Sequence, residues 1–195
     1  MRTAWGYEVE TMPPLLSVEN FNSMTGGAYT GNNRVEAALL AASQAVRNYC
    51  GWHICPSVDC VAYPVGGSKV TKLPAGYVSE IKSVTEDGIE LSDGQYEWRR
   101  DGLLRRSQFK NWSCRWDAIE VKYTAGFSIN AAPDLAEAVR AIAEAVIAVS
   151  AGVTTESADG VSISYSANAS SVAAALTSSQ KSALAAYKVV SSHAA

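Results

Sequence analysis

The stretch VKYTAGFSINAAPDLAEAV, residues 121–139, decides how the chain is built. Its first half alternates apolar and polar residues, the period of a half-buried strand. Tyr-Thr-Ala-Gly then breaks that period, and a proline follows at position 133. Proline suits the first position of a helix, where its missing N–H costs nothing. Asp134 and Glu137 sit at the positive end of the helix dipole. Beyond them Leu135, Val139, Ile142, Val146 and Val149 recur at helical spacing. A strand therefore hands the chain to a helix over about residues 133–150.

Upstream, residues 34–49 form the matching helix. Asn33 is its expected N-cap, Gly51 its stop, and Val35, Leu39, Ala42, Val46 and Tyr49 its apolar face. Two such faces are expected to pack together. Between the helices, residues 52–127 switch to a period of two, broken by Gly66-Gly67, Pro74, Asp87-Gly88, Asp93-Gly94 and Asp101-Gly102. Asp-Gly pairs favour hairpins because their central residues accept positive φ cheaply. Trp98, Trp112, Trp116 and Tyr123 are expected to cover one face of that sheet. Residues 1–33 read as irregular chain apart from a short turn capped by Ser17. Residues 153–175 are small and polar, although GVSISYS alternates like a strand. A last helix opens at Thr177, with Gln180 completing a capping box. The expected fold class is α+β, mainly helical: a small helical bundle over 1–152 with an antiparallel β insertion at about 52–127, then a flexible segment and C-terminal helix over 153–195.

Burying Leu184, Tyr187 and Val190 yields about 1.5–3 kcal/mol each. Ordering the closing helix costs about 1–2 kcal/mol per residue in backbone entropy. That helix therefore needs the body of its own subunit, or a neighbour, to stay in place.

Composition narrows the function. Of the 195 residues 48% are hydrophobic and 18% charged, enough for a packed core, and no apolar run is long enough to span a membrane. The first residues lack the apolar core of a secretory leader, so a cytoplasmic protein is expected. The net charge of −3 does not suit indiscriminate nucleic-acid binding. Between Glu97 and Asp117, however, Arg99, Arg100, Arg105, Arg106, Lys110 and Arg115 outnumber Glu97, Asp101 and Asp117. This run is either a solvated hairpin face or a surface for phosphate or protein. Cys50, Cys55 and Cys60 are separated by four intervening residues each, unlike the paired spacing of zinc sites, and with Cys114 they read as small, mostly buried apolar residues. With only His53 and His193 present, no nucleophile elbow, phosphate loop or metalloprotease motif is formed. No catalytic, cofactor or metal site is expected, and His53 reads as a packing or surface residue.

Several stretches resemble the head–tail connector (adaptor, or head-completion) proteins of long-tailed bacteriophages. PPLLSVENF (13–21) looks like that family's opening, and VRNYCGW (46–52) like the close of its first long helix. YVSEIKSVTEDGIEL (77–91) is similar to its hairpin. IEVKYTAGFSINAAPDLAEAVRAI (119–142) is similar to its most recognisable segment. ESADGVSISYS (156–166) and LTSSQKSALAAYKVV (176–190) resemble its ending. The resemblance implies a structural, non-enzymatic virion protein. It would form a ring, commonly of twelve copies, beneath the portal protein, with DNA passing through the lumen and a tail or stopper protein docking on the far side. Assembly would take place in the host cytoplasm. Under that implication the six bases, together with Leu184, Tyr187 and Val190, are the candidate subunit or portal interface. The other class compatible with the sequence is a small protein- or peptide-binding module.

Overall fold

The computed structural model describes residues 3–10, 12–108, 110–150, 155–158, 161–164 and 176–189. It divides into two compact units, each built from separated stretches of chain.

The β unit comprises Met1–Met12, Cys50–Ser128 and Tyr187–Ala195. Its strands are β1 (Tyr7–Val9), β2 (Val58–Ala62), β3 (Val70–Lys72), β4 (Val78–Glu86), β5 (Ile89–Glu90), β6 (Tyr96–Trp98), β7 (Leu103–Arg106) and β8 (Ile119–Ala125). They form a five-stranded antiparallel sheet ordered β1-β2-β8-β4-β5 and a three-stranded one ordered β3-β7-β6. Strand β8 lies at the centre of the larger sheet. Its alternation buries Ile119, Val121, Tyr123 and Ala125 and turns Glu120, Lys122 and Thr124 outward. Asp87-Gly88 and Asp101-Gly102 close hairpins, with positive φ at Asp87, Gly88 and Gly102. Asp93-Gly94 has a different role, carrying the chain out of the first sheet and into the second.

The helical unit comprises Pro13–Tyr49 and Ile129–Ala186. It holds α1 (Val18–Met24), α2 (Val35–Cys50, whose last residue falls in the β unit), α3 (Pro133–Ser150), a hairpin of β9 (Thr155–Ala158) and β10 (Val161–Ser164), and α4 (Ser178–Leu184). Ser17 caps α1 by accepting from the Asn20 N–H. At the start of α2 the side chain that turns the chain is Asn32, accepting from the Arg34 N–H, rather than Asn33. Leu15 donates its N–H to Ser43 Oγ at 2.8 Å, and buried Arg47 donates to the Pro13 carbonyl at 2.7 Å; together they fix the segment before α1 against α2. Both long helices bury their stripes. On α2 these are Val35, Leu39, Ala42, Val46 and Cys50, with Tyr49 half-exposed. On α3 they are Leu135, Val139, Ile142 and Ile147, with Val146 half-exposed. The α4 capping box is present, Thr177 and Gln180 each satisfying the other's backbone N–H.

The mainly helical expectation is overturned: the chain is 33% helix and 23% strand, an α+β mix with antiparallel sheets. Most of the β stretch clusters as a compact unit of its own, together with the chain's two ends. Strand β1, from a segment read as irregular, extends the sheet by pairing with β2. Two tryptophans expected on the sheet also differ. Trp112 and Tyr123 are buried, but Trp98 lies at an edge and Trp116 is 96% exposed. The expected flexible segment lies mostly outside the described residues, as does Val190.

Candidate functional site

The β unit carries most of the side chains that sequence singled out, while Leu184 falls in the helical unit. Residues 50–56 leave α2 through Gly51 and run beneath the sheet with Trp52, His53, Ile54 and Cys55 all buried. His53 is the hub. Its Nε2 lies 2.9 Å from the Ala125 carbonyl, which can only accept, so Nε2 carries the proton. Nδ1 is then the acceptor for the Tyr7 hydroxyl at 2.8 Å, and that oxygen accepts the His53 N–H at 2.9 Å. One imidazole thus ties β1, the post-helix segment and the end of β8 together. Its role is packing, with no access to solvent.

Beside it lies an aromatic seat. Trp52 meets Phe127 edge-on at 5.9 Å, Phe127 stacks on Tyr77 at 4.7 Å, and Tyr187 meets Phe127 edge-on at 6.0 Å. The Trp52 indole N–H donates to the Tyr187 carbonyl at 2.7 Å, and the Val189 N–H donates to the Cys50 carbonyl at 2.9 Å. Residues 187–189 are therefore held by the subunit's own β unit. Leu184, on α4, is fully buried. Gly76 is required here, since a Cβ would come within 2.9 Å of the Trp52 ring.

The basic residues do not converge on a cleft. Arg106 is mostly buried and pairs with Glu86 at 2.9 Å; it also donates to the Gln95 carbonyl and lies 5.7 Å over the Trp112 ring. Glu86 in turn accepts the Ser113 N–H at 2.7 Å. Arg106 is architectural. Arg105 pairs with Glu97, Arg99 with Asp101 and Arg115 with Asp87, all on the surface. Arg100 donates to the Tyr77 hydroxyl, and Lys110 is exposed. Sequence counting between 97 and 117 missed that Glu86 and Asp87 fold back onto this run. Two shallow depressions lie alongside, one lined by Ser79, Trp98, Arg99, Arg100 and Asp101, the other by Glu86, Asp87, Trp112 and residues 113–115.

None of the four cysteines is in a disulfide. Burial pushes the Cys50 and Cys60 thiols up to about 12, so both stay protonated. Cys55 is buried as well, whereas Cys114 is exposed. No cluster able to hold a metal ion occurs among the described residues, and no helix among them is long and apolar enough to cross a membrane.

Paired surface charges, a buried histidine serving as a tie and an end segment seated on aromatics are the features these side chains build. Residues 14–179 match the family model described as "Head completion protein", and the chain belongs to that family. Its role is accordingly structural, in completing the head of a phage-type virion. Two solved structures share the fold. One is a chain from the neck of an empty GTA particle computed with C6 symmetry: TM-score 0.61, 17% identity, covering 94% of this chain and 95% of that one. The other is from the neck of a native GTA particle computed with C12 symmetry: TM-score 0.61, 15% identity, with the same coverages. No curated protein sequence matches the chain.

Proposed function

We propose that the protein forms a homo-oligomeric ring, a dodecamer, in the virion neck between the portal and the tail. DNA passes through its lumen without sequence-specific contact, and a tail or stopper protein docks on the side away from the portal. The observation that carries this reading is membership of the head completion family together with a fold matched end to end by subunits of two symmetric necks. The charge pattern is consistent with it. Each phosphate gripped adds affinity and salt dependence, which a DNA channel must avoid. Here Arg99, Arg105, Arg106 and Arg115 each have a carboxylate on the same subunit.

In this reading Arg99, Arg100, Arg105, Lys110 and Arg115 face protein neighbours, with Arg106 supporting them from behind. Residues 153–195 act as the assembly arm, with Leu184, Tyr187 and Val190 its candidate interface positions. The test is native mass spectrometry and negative-stain imaging of the protein alone and mixed with portal rings. Closed rings, or rings formed on the portal, are expected. A strict monomer that ignores portals would leave only the small binding module.

A further inference from the structure

We propose that the outward face of the five-stranded sheet and the outward face of the three-stranded sheet are the two halves of one head-to-tail contact, each face docking on the opposite face of the next copy of this chain. This rests on the ring reading above and names the surfaces that would close it.

The larger sheet supplies the acidic half. Opposite its buried residues, the register aligns Glu8 with Val61, Val61 with Lys122 and Asp59 with Thr124, while Glu80 and Glu90 continue the same face on β4 and β5. Glu120 lies beside them. The two lysines on this face are already engaged, Lys82 with Asp59 and Lys122 with Glu120. Glu8, Glu80 and Glu90 have no cation within ion-pair reach among the described residues. Tyr63, which donates to Glu120, senses this field: burial first, then Glu120 and Glu8, push its hydroxyl above the usual phenol range.

The smaller sheet supplies the basic half. Leu104 and Thr71 point inward, which turns Val70, Lys72, Leu103 and Arg105 out. Lys72 has no carboxylate partner among the described residues, and the Arg105–Glu97 pair is solvent-exposed on both sides. Such a pair contributes little by itself, so Arg105 can exchange partners at small cost. Val70, 42% exposed, and half-buried Leu103 give this face the apolar area that a contact core needs.

Two faces of opposite sign disfavour the pairing of either face with its own copy, since acid would meet acid and base would meet base. They favour a heterologous contact, the type that closes into rings.

The test uses two full-length variants, Glu8→Lys/Glu80→Lys and Lys72→Glu/Arg105→Glu, with folding checked by far-UV circular dichroism. Native mass spectrometry at matched concentration, with and without portal, reads the oligomer. Each variant alone is expected to lose at least tenfold in oligomer. A one-to-one mixture is expected to recover it, because every contact in an alternating ring again joins unlike charges. Rising salt should weaken the wild-type oligomer. A wild-type ring with both variants assembling equally well, or a folded pair that does not recover on mixing, overturns this contact and leaves the ring. Retained assembly with lost DNA binding in Lys72→Glu/Arg105→Glu likewise overturns it, assigning the basic face to DNA. A wild type that stays monomeric even with portal overturns the ring reading and the contact together.

Discussion

Replacing Tyr7 by Phe isolates the histidine tie from everything else in the molecule. The ring stays, so the buried apolar area and the stacking on Trp5 at 6.1 Å are kept. What goes is one oxygen, which donates to His53 Nδ1 and accepts the His53 N–H. Tyr7 is 1% exposed and His53 fully buried, so water cannot replace it. Each buried polar group deprived of a partner costs about 1–3 kcal/mol. Two groups put the loss at about 2–4 kcal/mol, because the backbone can relax toward Nδ1. At about 2–4 °C per kcal/mol for a chain of this size, the melting midpoint should fall by about 5–15 °C. Urea titration followed by circular dichroism measures the loss, and hydrogen exchange should show β1 opening first, since its pairing with β2 covers only residues 7–9. A loss below about 0.5 kcal/mol, with β1 as protected as in the wild type, would refute the idea that His53 is held by this hydroxyl.

Gly126→Ala should destabilise the β unit by well over about 1 kcal/mol in the same titration, since Gly126 has φ +112° and a Cβ would lie 2.4 Å from the Pro56 carbonyl oxygen. A maleimide added to native protein should label Cys114 alone, and all four cysteines only after denaturation; fast labelling of Cys50 or Cys60 would contradict their burial. Trp116→Ala should leave the urea midpoint within about 0.5 kcal/mol while removing the most acrylamide-quenchable part of the fluorescence, because the ring touches almost nothing of its own subunit.

The long elements were legible because their signals are local. The stripe of α2, the proline opening α3 and the capping box of α4 are each written within a few residues, and each is where periodicity places it. Strand β1 was not, since three residues cannot establish a period, although Tyr7-Glu8-Val9 alternates correctly once β2 is there to pair with it. Asp93-Gly94 shows the same limit. A turn dipeptide fixes the local bend but not which sheet the outgoing strand will join. Among the candidate interface residues, composition found the arginines and could not find their partners. Glu86 and Asp87 precede the basic run in sequence, and only the folded β4–β5 hairpin brings them to Arg106 and Arg115. The same holds for Trp116, whose exposure depends on the turn it occupies and not on its neighbours in sequence.

The hydrogen bond from the Trp52 indole to the Tyr187 carbonyl gives the chain an optical gauge of its own C-terminal arm. An indole N–H that loses a fixed acceptor changes its emission and its near-ultraviolet dichroism. Lifting the arm off the aromatic seat, by a partner or by temperature, would therefore be visible without any label.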